Sequence, residues 1–176
     1  SANLYAEADS ARATITSVDM EGVAVVHFNL IDDQGQALTG LTSGNVRFHL
    51  AKLVPATDGN GSYWQSYINR TKVPAVNADN APAVQATSER GGELTDHEDG
   101  TYSYTSNIDV TTVTDPLAVA YEPLLTHRVG FQFSGGVPIN PTFDWVPASN
   151  ATANIELKNI IATESCNSCH NPLAIH

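Results

Sequence analysis

The sequence predicts an all-β fold, an antiparallel Greek-key split β-barrel or sandwich followed by a short C-terminal segment of different character. Two observations carry that expectation. Runs of alternating or β-branched residues recur from about residue 13 to 157, and turn chemistry built on Gly, Pro, Asn and Asp separates them at frequent intervals. Helical periodicity is hard to find in the same stretch. With 176 residues, 41 % apolar and 15 % charged, the chain is long enough to bury a core without a covalent staple, and its composition is that of a globular protein.

The predicted strands, in order, are residues 13–18, 23–31, 45–53, 100–104, 127–134 and 151–157. Along the second, Val26, Phe28 and Leu30 share one face while Val25, His27 and Asn29 share the other, the pattern of a sheet with one dry side. Asp32-Asp33-Gln34-Gly35 then supplies side-chain turn bonds and a residue tolerant of positive φ, so the second and third strands are expected to pair antiparallel. The fourth begins on Asp99-Gly100 and alternates Tyr102 with Tyr104, a common way for a sandwich strand to enter the core. Residues 73–93, rich in Ala, Pro, Asn and Gly, show neither period and read as an excursion loop. After Leu157 the character changes. Thr163-Glu164-Ser165 can cap a short helix or turn, and Pro172 limits its length. The expected organisation is a β domain over 1–160 and a compact tail over 161–176.

Charge narrows the partners. The formal balance of −11, from 19 acidic residues against 8 Lys plus Arg, repels a phosphate backbone, so nucleic acid and anionic membrane surfaces are poor partners. No run approaches the length of a transmembrane segment, and no charged n-region with an apolar h-region opens the chain. A start at Ser1 without an initiator Met fits a processed or trimmed product.

The chemistry is concentrated in the tail. Both cysteines fall in Cys166-Asn167-Ser168-Cys169-His170, the C-x-x-C-H pattern of c-type haem attachment. Thiols three positions apart can each add to one vinyl group on a porphyrin edge, and the imidazole beside the second falls under the ring to ligate iron. The pattern points to one covalent haem c on Cys166 and Cys169 with His170 as proximal ligand, and to electron transfer rather than conventional enzyme catalysis. Three rivals stand beside it: two unreacted thiols next to an incidental His, a thioredoxin-like pair, and a zinc site completed by His176 and one further His. A thioredoxin pair wants a βαβ unit that nothing here resembles. Zinc has no use for a His directly after the second Cys, whereas haem requires it.

His176 has three open readings: the second axial ligand of the same iron, a ligand to a neighbouring haem, or an exposed histidine. His27, His49, His97 and His127 read as hydrogen-bonded structural residues, with His27 facing outward and His127 a satisfied histidine at the edge of the core. Asp96-His97-Glu98-Asp99-Gly100 lacks the spaced oxygen ligands of an EF-hand and reads as a solvated turn, not a Ca²⁺ loop. The sequons at Asn60, Asn69 and Asn150 fit chance in an Asn-, Ser- and Thr-rich chain. No Ser-His-Asp order, phosphate loop or paired-carboxylate signature of catalysis stands out.

Five stretches carry a resemblance to a known family: Trp64-Gln65-Ser66-Tyr67-Ile68-Asn69, Asp99-Gly100-Thr101-Tyr102-Ser103-Tyr104, Thr126-His127-Arg128-Val129-Gly130-Phe131, Asn140-Pro141-Thr142-Phe143-Asp144-Trp145-Val146-Pro147, and the run from Ser165 to His176. The chain resembles the N-terminal portion of the OmcA/MtrC family of multihaem outer-membrane cytochromes, from about residue 20 onward. That resemblance implies a split-barrel β domain leading into c-type haems and a setting on the cell surface of a Gram-negative bacterium. It also implies partners among other multihaem cytochromes or an outer-membrane porin–cytochrome complex, with ferric minerals or flavins as acceptors. The sequence stops just after its first haem motif where the family continues with many more, as expected of a fragment, an engineered module or a naturally short relative. An alternative of another class is a docking module for a partner protein, a mineral surface or a flavin, built on exposed aromatics around Tyr63, Trp64 and Tyr67.

Overall fold

A computed structural model describes residues 3–73 and 82–157 of the chain. The expected haem segment, with Cys166, Cys169, His170 and His176, lies outside the described residues. Within them the chain forms β1 (Asn3–Leu4), β2 (Arg12–Glu21), β3 (Val23–Ile31), β4 (Leu38–Thr39), β5 (Val46–Val54), β6 (Tyr63–Ser66), β7 (Asn69–Lys72), β8 (Ala83–Ala86), β9 (Glu93–Asp96), β10 (Thr101–Asp109), β11 (His127–Phe133) and β12 (Thr142–Trp145), with short 3-10 turns between some of them.

Two four-stranded antiparallel sheets, in the orders β2-β3-β10-β9 and β12-β11-β5-β6, face each other as a sandwich, and no barrel closes among the described residues. Each sheet joins two hairpins that are distant in sequence, so successive hairpins alternate between the layers. The small pairs β7-β8 and β1-β4 flank them, the latter parallel.

Alternation decides which side chains enter the space between the sheets. On β3, Ala24, Val26, Phe28 and Leu30 are buried, and from the opposite sheet come Val46, Phe48 and Leu50 of β5 with Val129, Phe131 and Phe133 of β11. Phe28 stacks on its sheet neighbour Tyr102 at 5.0 Å and meets Phe131 and Phe133 across the gap, each at 5.2 Å. Burying each such ring contributes about 1.5–3 kcal/mol, which makes this aromatic seam the main cohesion between the layers.

Several expectations change here. The Asp32 turn forms, its carboxylate accepting from the backbone N–H of Gln34 at 2.9 Å and of Gln36 at 2.8 Å, with Gly35 at φ 77°. The strands on either side of it do not pair, however. β3 already has β2 and β10 on its two edges, and β5 has β6 and β11, so the chain crosses to the other sheet. Residues 151–157 are not a strand. Only Ala151 bridges, to Val146, and Asn150 and Asn154 at φ 58° and 57° break the extended backbone that alternation suggested.

The stretch 73–93 is also more than a loop. Ala83–Ala86 pairs with β7, and Glu89 turns inward until it is 8 % exposed. Its backbone exchanges two hydrogen bonds with Phe48. Its carboxylate accepts from Tyr104 Oη at 2.7 Å, Ser106 Oγ at 2.9 Å and the Asn107 N–H. A buried carboxylate with this many donors acts as a polar rivet between segment and sheet.

Candidate functional site

Three polar arrangements stand out among the described residues, and each follows from strand parity and register. The first lies at one end of the core. β11 places His127 opposite Lys52 of β5 and Trp145 of β12, on the inward face, where His127 is fully buried. Tyr67, just beyond β6, is 2 % exposed and brings its hydroxyl to His127 Nε2 at 2.7 Å, with the two rings stacked at 5.5 Å. His127 Nδ1 lies 2.8 Å from the Leu125 carbonyl, which can only accept. The proton therefore sits on Nδ1, and Nε2 offers its lone pair to the Tyr67 O–H.

Burial pushes the His127 pKa down to about 4, with the Lys52 charge lowering it further and the Leu125 hydrogen bond and Glu122 opposing. The imidazole is neutral at neutral pH. Burial drives the Tyr67 phenol well above its ordinary range, so it stays protonated. Lys52 Nζ completes the group, donating to the Ala120 carbonyl at 2.5 Å and to Glu122 Oε2 at 2.8 Å. His127 is thus the satisfied core histidine its pattern predicted. Tyr67 is not an exposed docking aromatic, because the strand ends at Ser66 and the next side chain turns under the sheet.

The second arrangement lies on the outer face of the other sheet. His27 faces outward as expected, with Nε2 3.1 Å from Asp19 Oδ2 and Nδ1 3.3 Å from Ser103 Oγ, and Ser103 Oγ is also 2.9 Å from His97 Nε2. Register makes this chain, since His27 on β3 pairs directly with Ser103 on β10. Sequence order alone could not reveal it: the partners are 76 residues apart. The Asp96–Gly100 turn beside it is held internally, with Asp96 accepting from Glu98 and Gly40 N–H groups and Asp99 from Thr101.

The third is a shallow groove on the outer face of the second sheet. Gly130 forms its floor, where an added Cβ would come no closer than 3.5 Å to Thr142, and Trp64, His49 and Asn140 line its sides. Arg128 lies over the Trp64 ring at 4.4 Å and is fixed by a two-pronged ion pair with Asp144 at 2.7 and 2.9 Å. Burial lowers the His49 pKa, so the wall it contributes is uncharged. Tyr63, the neighbour of Trp64 in the chain, is 51 % exposed but is not among the residues that line this groove.

Of the four histidines of the described residues, His27 and His97 meet at Ser103, while His49 and His127 belong to the other two arrangements. No group of three or more His, Cys, Asp or Glu side chains among the described residues is placed to hold a metal ion. No helix among them is long and apolar enough to cross a membrane.

The geometry defines a class: an antiparallel β-sandwich module whose chain runs on into a C-x-x-C-H motif. The chain belongs to the OmcA-like N-terminal domain family, whose profile matches residues 10–152. It is 32 % identical over 170 residues to the multihaem cytochrome MtrC of Shewanella baltica (strain OS185), an alignment covering 90 % of this chain and 23 % of that protein. The crystal structure of the outer-membrane decahaem cytochrome OmcA superposes with a TM-score of 0.77 at 31 % identity, covering the whole of this chain and 28 % of OmcA. That of MtrC from Shewanella baltica OS185 gives 0.63 at 24 % identity, over 94 % of this chain and 26 % of MtrC, and supports the fold. The chain spans about a quarter of the length of these relatives.

Proposed function

We propose that the chain is the N-terminal module of a cell-surface multihaem cytochrome, that it carries one haem c on its tail, and that it serves electron transfer in extracellular, metal-reducing respiration. The observation that carries this reading is the C-x-x-C-H motif at residues 166–170 in a chain whose preceding residues match a cytochrome domain family. The donor set suits the group. Cys166 and Cys169 supply the two thiols for thioether bonds, His170 the proximal imidazole, and His176 is the candidate for a second axial position. Bound haem would supply a one-electron iron couple.

The β-sandwich, taken as residues 1–160, is the rigid mount for the haem segment 161–176. Thr126 Oγ1 donates to the Glu156 carbonyl at 2.5 Å, which ties residue 156 to the start of β11. By analogy with the relatives, the setting is the outer-membrane surface. Partners would be other multihaem cytochromes or a porin–cytochrome complex, and acceptors ferric minerals or flavins. The strong negative charge suits cationic and oxidised-metal acceptors.

Produced in a host competent for cytochrome maturation, the protein should have the mass of the polypeptide plus one haem, a sharp Soret band, and pigment that resists acid–acetone extraction. Bare polypeptide, or colourless protein with stoichiometric zinc, overturns the reading. The groove beside Trp64 favours a second one, in which the sandwich docks a partner protein, a mineral surface or a flavin. Binding that survives replacement of Cys166 and Cys169 by Ala would support it.

A further inference from the structure

The rings of His27 and His97 face one atom. The Ser103 hydroxyl lies 3.3 Å from His27 Nδ1 and 2.9 Å from His97 Nε2. It has a single proton, so it donates to one ring at most, and the other ring meets it as a donor. Asp19 decides which. Its Oδ2, 3.1 Å from His27 Nε2, can only accept, so the proton of the neutral imidazole sits on that side and the Nδ1 lone pair is aimed at the shared hydroxyl. A carboxylate behind one ring nitrogen and a lone pair in front of the other is the arrangement that orients a metal-ligating histidine and raises its basicity.

We propose that His27 Nδ1, oriented by Asp19, and His97 Nε2 form a two-imidazole site for a labile divalent transition-metal cation of the Zn²⁺ or Cu²⁺ class on the outer face of the β2-β3-β10-β9 sheet. The ion enters between the rings at the Ser103 hydroxyl, His97 carries its proton on Nδ1, and water fills the remaining positions. Imidazole suits these ions better than it suits Ca²⁺ or Mg²⁺, which take oxygen.

Geometry, charge and access fit. Two nitrogens bonded at about 2.0–2.1 Å to a tetrahedral ion stand roughly 3.4 Å apart. The nitrogens of His27 and His97 are separated by no more than their two hydrogen bonds laid end to end, and His97, exposed on the Asp96–Gly100 turn, closes the difference by moving its ring while β3 and β10 hold His27. The cleft here, about 240 Å³, is lined by Thr16, Asn29 and Thr101 beside the two rings, with no lysine or arginine among its lining residues. The formal charge of −11 favours the approach of a cation. The other two histidines of the described residues are placed differently. His127 Nε2 is taken by Tyr67 inside the core, beside Lys52, and His49 hydrogen-bonds Gln132 next to Arg47. Two imidazoles fall short of the three protein ligands of a catalytic zinc centre, so the site takes up and releases its ion. It needs no bound haem and stands apart from the proposed function.

The test is a Zn²⁺ titration of the full chain, any cysteine not bonded to haem first alkylated, followed through the ring-nitrogen resonances of isotope-labelled histidine. His27 Nδ1 and His97 Nε2 should shift together and saturate at one ion, while His49 and His127 stay in place. Asp19→Asn, at a side chain that is 74 % exposed, should weaken binding about tenfold, and His27→Gln and His97→Gln should each weaken it further, all with native circular dichroism. With Cu²⁺, electron paramagnetic resonance should show coupling to two ring nitrogens. Separate midpoints for the two rings, or a single-histidine variant that binds as tightly as the unmodified protein, would mean an adventitious ion on a lone surface histidine and would overturn the proposal. Unchanged affinity in Asp19→Asn would overturn it too. So would resonances of His27 and His97 that excess Zn²⁺ does not move, a result that depends on no variant.

Discussion

His127 shows how one residue couples burial, tautomer and stability. Its folded-state pKa is about 4 against an ordinary 6.5, burial being the first cause. The unfolded chain therefore takes up a proton at a higher pH than the folded one, so stability rises with pH between those values. The contribution is complete above about 6.5 and is lost as pH falls toward 4. At roughly 1.4 kcal/mol per pKa unit the loss is on the order of 3 kcal/mol. Urea unfolding across that range should show the decline, and His127→Gln, which cannot titrate, should flatten it; equal slopes in both proteins would assign the effect elsewhere. The inward face of His127 was legible, because it shares parity with Val129, Phe131 and Phe133. Its partner was not, since Tyr67 is 60 positions away and belongs to no strand.

At the scale of elements, the connection from β10 to β11 is held to the sandwich by Lys52, a cation with only 8 % side-chain exposure on an otherwise apolar face, while its partner Glu122 is 52 % exposed. The asymmetry predicts unequal costs. Glu122→Gln leaves the buried ammonium with a weaker acceptor and should cost about 1–3 kcal/mol, whereas Lys52→Met frees a half-solvated carboxylate and should cost under about 1 kcal/mol. Urea midpoints of the two variants decide it, and a larger loss in Lys52→Met would contradict the argument. Long strands were legible here because period-two burial writes itself into composition, as in β3. β7 and β8 were missed because their residues stay mostly exposed and leave no alternation to read. Residues 151–157 misled for the opposite reason: they alternate, but asparagines at positive φ turn the backbone away. Which strands share a sheet was beyond local signals, since both sheets are closed by pairings between hairpins far apart in the chain.

At the scale of the whole molecule, the question is whether the sandwich and the haem segment fold as one unit. The aromatic seam of Phe28, Phe48, Tyr102, Tyr104, Phe131 and Phe133 lies wholly within the described residues, and so do the hydrogen bonds of both sheets. A sandwich that builds a seam of this size from its own strands has core enough to fold without a cofactor, unlike a small metal-dependent domain whose core is the metal. Replacing Cys166 and Cys169 together by Ala should therefore remove covalent haem and the Soret band while leaving the urea midpoint and near-ultraviolet circular dichroism of the sandwich unchanged. The protein produced without cytochrome maturation should match that variant in both measurements. A joint loss of haem and of cooperative unfolding would mean that the tail is part of the core, and the division at residue 160 would then have to be abandoned.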